Sequence, residues 1–154
     1  MSPELGISLV RARADLREDM WEGTECPCCG QYARVYRRKV NANCARKLIA
    51  AYRLHGTQPF YLPGLLASLR LPGRDESLLH YFRLIQETDS RRDDGGRAGW
   101  WRVTGLGVGY VKGLQQIPKY AQVYNGKVLG YDVPMVSIQD ALGERFDLQE
   151  LLAS

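Results

Sequence analysis

The sequence predicts an α+β fold, on three observations. Apolar residues recur at helical spacing in 43–55 and 76–88. Two alternating, β-rich runs in PKYAQVYNGKVLGYD flank Asn125-Gly126, a dipeptide that favours the tight turn of paired strands. Residues 63–112 read as short helix, tight turn, longer helix, strand, glycine-rich tip, strand and helix. The 154 residues are enough for one domain with a real core and a small appendage.

The elements follow in order. Residues 8–21 form a first helix, with Ser8 as N-cap and Leu9, Ala12, Leu16 and Met20 on one face. The turn GTECPCCGQ comes next, and YARVYRRKV (32–40) alternates as a strand should. Residues 43–55 are helical and stop at Gly56. TQPFYL (57–62) is extended, and Pro63 suits the first turn of a short helix over 63–70. LPGR turns the chain, Asp75 caps a helix over 76–88, and Leu78, Tyr81, Phe82 and Ile85 form its buried stripe. SRRDDGGRAG is a polar tip, Trp100–Thr104 a strand, and Thr104 the cap of a helix running to about Lys112. After the hairpin, Ser137 and Asp147 cap short helices over 137–142 and 147–152.

Helix–turn–helix followed by a β-hairpin is the winged-helix order. GWWRVTGLGVGYVKG adds a strand, then Thr-x-x-Gly, then an apolar helix, and so resembles the Leu-Thr-x-x-Gly stretch that closes the wing in many winged-helix regulators. Val103 stands where those proteins usually carry Leu. The expected architecture is thus a winged helix-turn-helix core with an N-terminal cysteine-containing turn and strand, occupying 1–114. A C-terminal β-hairpin and short helices over 115–154 pack on it or on a second copy of the chain, since a lone hairpin is not stable.

Composition narrows the class. At 45% hydrophobic and 25% charged residues the chain is globular, and it contains no apolar run of the roughly 18 residues that span a bilayer, so no membrane role is expected. Its start lacks a basic stretch followed by an apolar one, which points to the cell interior, the cytoplasm, where thiols stay reduced.

Charge is unevenly distributed. From Cys26 to Arg74 there are nine Lys or Arg residues and no acid, whereas from Asp132 onward there are five acids and one Arg. Such a block neutralises phosphates, or it is a solvated face balanced by the acidic end or by a protein partner. As a nucleic-acid contact it comprises Arg34, Arg37, Arg38, Lys39, Arg46, Lys47 and Arg53, joined by Arg83 on the second helix of the pair and by Arg91, Arg92 and Arg97 in the wing. The polar face of 76–88 also carries Glu76 and Glu87, a poor surface for a duplex, so that helix need not enter a groove. Trp100-Trp101 invites base stacking, but neighbours on a strand face opposite ways, so one ring belongs to the core. Tyr120, Tyr124 and Tyr131 are either a packed face or a contact surface for a partner.

Cys26-Pro27-Cys28-Cys29-Gly30 contains Cys-Pro-x-Cys-Gly, the turn of zinc knuckles, in which backbone amides donate to sulfur. Zinc would be held by Cys26, Cys29 and Cys44, with His55 or His80 completing the set. The other readings are a turn braced by N–H to sulfur contacts and, for Cys44, a small buried apolar residue. No nucleophile–base set, phosphate loop or dinucleotide fingerprint can be built from the spacing, and Gly105, Gly107 and Gly109 read as close packing, so no enzyme is expected.

CPCCGQYARVYRRKVN, DDGGRAGWWRVTGLGVGYVKG and PKYAQVYNGKVLGYD together resemble a group of small, mostly uncharacterised bacteriophage proteins, over about 23–150. The resemblance implies a phage-encoded protein. Two functions are open: double-stranded DNA binding in transcription control or replication, with a homodimer as one form, or capture of a host protein to take over or disarm the cell.

Overall fold

In the computed structural model, which describes residues 6–74, 76–88 and 99–153, the chain starts with α1 (Leu9–Asp19). Ser8 caps it, its hydroxyl accepting from the Arg11 amide at 3.2 Å. β1 (Thr24–Glu25) and β2 (Tyr32–Ala33) then pair antiparallel around the sulfur turn, Thr24 facing Ala33 and Glu25 facing Tyr32. The expected single strand over 32–40 is broken. Val35 turns inward, its amide donating to the Met20 carbonyl at 2.8 Å, and the chain resumes as β3 (Tyr36–Arg38) on a different partner.

α2 (Ala42–His55) is capped by Asn41, whose side chain accepts from the Cys44 amide at 2.9 Å, and ends at Gly56 with φ 60°. Then come β4 (Phe60–Tyr61), α3 (Leu62–Leu69), α4 (Ser77–Tyr81), β5 (Ile85–Glu87) and β6 (Trp100–Val103). α5 (Gly105–Val111) leads into β7 (Ile117–Tyr124) and β8 (Lys127–Val136), joined at Asn125 and Gly126, both with the positive φ that their turn requires. α6 (Ile138–Leu142) and α7 (Leu148–Ala153) end the chain, capped by Ser137 and Asp147 as the sequence suggests.

The long helix expected over 76–88 is the main correction. α4 stops at Tyr81, Arg83 takes the left-handed conformation at φ 61°, and the chain becomes β5. The physical cause lies in β6. Ile85 pairs with Val103 and Glu87 with Trp101, while Leu84 and Ile85 are buried to 0% and 2% exposure. Thr104 locks the bend: its hydroxyl donates to the Arg83 carbonyl at 2.7 Å and accepts from the Gly107 amide at 3.0 Å. The Asp75 cap and the tip, including Arg91, Arg92 and Arg97, lie outside the described residues.

The sheets are β1-β2, β3-β7-β8 and β4-β6-β5, and the pairs β1–β2, β3–β7, β4–β6 and β5–β6 are antiparallel. The chain divides into two compact units. The first runs to Arg38 and takes in Ala121–Gly130; its small core is Met20, Ala33 and Val35, with Leu16 and Tyr124 packed on it. The second holds Lys39–Tyr120 and the chain from Tyr131 onward. There α2 packs against α5, α6 and α7, and Cys44, Leu48, Phe60, Leu78, Tyr110 and Ile138 are buried. No helix of the described residues is long and apolar enough to cross a membrane.

Candidate nucleic-acid interface

The acid-free stretch divides between the two units. In the first, Arg34, Arg37 and Arg38 are all exposed around β3, an outer strand of its sheet. The Arg34 guanidinium lies 5.6 Å from the centre of the Tyr36 ring, and Tyr36 and Tyr32 are themselves exposed. Register sets Arg37 opposite Gln122 and Arg38 opposite Ala121, so the two guanidinium stems leave opposite faces of the strand. The result is a basic edge interleaved with aromatic rings. Sequence reasoning named the arginines and overlooked Tyr32 and Tyr36, although the alternation Tyr-x-Arg-x-Tyr is visible in the chain.

In the second unit the set thins. Lys39 and Arg53 are exposed. Arg46 is half-buried, donating to Asn43 Oδ1 at 3.3 Å and stacking 4.4 Å over the Phe146 ring. Lys47 is a correction. It is 3% exposed, and its ammonium donates to Glu76 Oε2 at 3.3 Å and to the Gly73 carbonyl at 3.1 Å. A charge so enclosed and so partnered is a core element and cannot also meet a phosphate. Arg83 is exposed and lines a groove of about 390 Å³ with His80, Ile85, Gln86, Glu87 and Thr104.

The sulfur turn is closed by two backbone hydrogen bonds, Cys26 amide to Gln31 carbonyl at 2.7 Å and Gly30 amide to Cys26 carbonyl at 2.8 Å. The Cys28 and Cys29 amides donate towards the Cys26 sulfur and hold its thiol below the ordinary value, against a smaller opposing effect of desolvation. Cys26 and Cys29 therefore supply two sulfur donors on one turn. Cys44 is wholly buried on α2 in the second unit, in line with its apolar reading. Among the described residues no group of three or more His, Cys, Asp or Glu is placed to hold a metal ion.

Thiolate is the reactive form of cysteine, so a lowered thiol has more of it at neutral pH. Cys26 is expected to alkylate with iodoacetamide at pH 7 well before Cys44, which should label only on unfolding. Peptide mapping by mass spectrometry after short exposures measures the order, and equal labelling of the two would contradict the burial of Cys44.

Comparison of the chain with family models, with curated proteins and with solved structures finds no match.

Proposed function

We propose that this is a phage-encoded, non-enzymatic winged-helix protein that binds double-stranded DNA in transcription control or replication. The fold reading is supported by the order α2, β4, α3, α4, β5, β6 together with the sheet order β4-β6-β5, in which the last strand inserts between the first two. The phage origin rests on the sequence resemblance alone. The observation that carries DNA binding is the exposed trio of Arg37 and Arg38 on an outer strand and Arg34 just before it, set among tyrosines. Guanidinium groups so placed neutralise phosphates without reading sequence. With α4 only five residues long, the contact is carried by β3 and not by a deep recognition helix.

Converting all three arginines to alanine is expected to weaken binding similarly on unrelated duplexes. Each lost phosphate contact flattens the plot of log K against log salt by roughly 0.9, so the triple variant should lose about 2 to 3 from the slope. Fluorescence anisotropy over a salt series measures it, and an unchanged slope removes the reading.

One observation favours capture of a host protein instead. Val133 and Met135, on one face of β8, are 79% and 47% exposed, an apolar surface of the kind partners cover. Pull-down from nuclease-treated host lysate separates the readings: a single stoichiometric protein retained after digestion supports this second one.

A further inference from the structure

The three-stranded sheet β4-β6-β5 has one buried and one open face. Inward stand Phe60, Ile85, Trp101 and Val103, none more than 9% exposed. An open face is ordinarily polar. Here it carries Tyr61, Trp100, Arg102 and Gln86. Register sets Tyr61 directly across from Trp100, and Gln86 across from Arg102.

The two rings are 47% and 40% exposed, with centroids 5.6 Å apart and planes inclined by 46°. Tyr61 is braced from behind. A Cβ on Gly99 would come within 3.2 Å of its Cε1 and 3.3 Å of Pro63 Cδ, and Gly99 has φ 79°, so glycine lets the backbone pass close under the ring without strain. The pair is thus held in place and left open to solvent. None of the four outward residues is acidic. Arg102 supplies a cation two positions along the strand from Trp100, and Gln86 supplies an amide with both donor and acceptor.

We infer that this face binds single-stranded nucleic acid, with unpaired bases lying on Trp100 and Tyr61, Arg102 at the neighbouring phosphate and Gln86 at a base edge. Every base has a π-face, so stacking on aromatic rings tolerates any sequence, and a cation on a face whose four outward residues include no carboxylate suits the phosphates between the bases. Bases inside an intact duplex are stacked on one another and cannot occupy the rings. The face lies wholly within the second unit and does not rest on the duplex contact made by Arg34, Arg37 and Arg38.

The test is a twelve-residue oligothymidine carrying one 2-aminopurine, titrated with the full chain at low salt. Its fluorescence should be quenched as the probe stacks. Trp100→Ala should bind roughly 5- to 150-fold more weakly, the loss of one stacked base. Trp100→Phe, which keeps a ring and the sheet packing, should retain most of the affinity, and it carries the test if the alanine variant does not fold. Arg102→Ala should flatten the salt slope by about 0.7, the value for one contact to a single strand. Absence of quenching overturns the inference, as does a Trp100→Ala protein that binds like the parent or a folded Trp100→Phe protein that has lost binding. The triple variant of Arg34, Arg37 and Arg38 should keep its oligothymidine affinity. If it loses that affinity, the strand is held by the first unit and the inference fails; if it loses duplex affinity alone, both sites stand. A parent that binds oligothymidine but no duplex would remove the proposed function and leave this site.

Discussion

Gly107→Ala is expected to lower the melting temperature by roughly 10 °C. A Cβ at this position would sit 2.2 Å from the Leu84 carbonyl oxygen and 2.8 Å from a Val103 methyl. The first of these is backbone, fixed by the bend at Arg83, by the Thr104 hydrogen bonds and by the β5–β6 ladder, so it cannot swing aside. Forcing atoms into a packed core costs about 1–3 kcal/mol, and a backbone obstacle puts this site at the upper end. For a chain of this size each kcal/mol moves the midpoint by about 2–4 °C. Gly105→Ala is the control. A Cβ there meets nothing within 4 Å, and alanine is the better helix former, so stability should hold or rise slightly. Thermal denaturation followed by circular dichroism compares the two. Equal midpoints would mean that α5 does not approach Leu84 as described.

Glu76→Ala is expected to cost about 3 kcal/mol, because among the described residues it leaves the Lys47 ammonium in the core with the Gly73 carbonyl alone. Removing one partner of a buried ion pair typically costs about 3–5 kcal/mol, and the quarter exposure of the Glu76 side chain, which lets water approach, places the estimate at the low end. Lys47→Met should behave differently. It exchanges an enclosed charge for an apolar chain of similar volume and leaves a carboxylate that can hydrate, so stability should change by less than about 1.5 kcal/mol. Urea unfolding gives both values. The same Lys47→Met protein should bind DNA as the parent does. A marked loss of affinity in a folded Lys47→Met protein would return this lysine to the interface.

Much of this could be read directly from the chain, because caps and turns are local. Ser8, Thr104, Ser137 and Asp147 each have a donor to satisfy within three residues, and Asn125-Gly126 needs only its own dihedrals. The exposed Arg34, Arg37 and Arg38 were likewise visible, as was the division of Trp100 and Trp101 between the two faces of their strand, although not which ring turns inward. The stretch 77–87 was not. Leu78, Tyr81, Phe82 and Ile85 satisfy a helical period, and what converts Ile85 to a strand is Val103, eighteen residues further on. Lys47 was hidden for a similar reason, since its carboxylate partner lies 29 residues away. One signal did exist: Cys44, Lys47, Leu48 and Ala51 recur at helical spacing, which places the lysine on the inner side of α2.

The position of β3 at the margin of its sheet has a consequence for evolution. An open strand margin is a template on which further chains can add and grow into fibrils, and charged side chains there discourage it. Arg37 and Arg38 stand on that margin. A descendant that had lost every ligand would still be selected to keep charge at 37 and 38 simply to remain dispersed. Arg34 lies off the ladder and has no such duty, so it is the position whose retention among relatives would report on ligand binding alone.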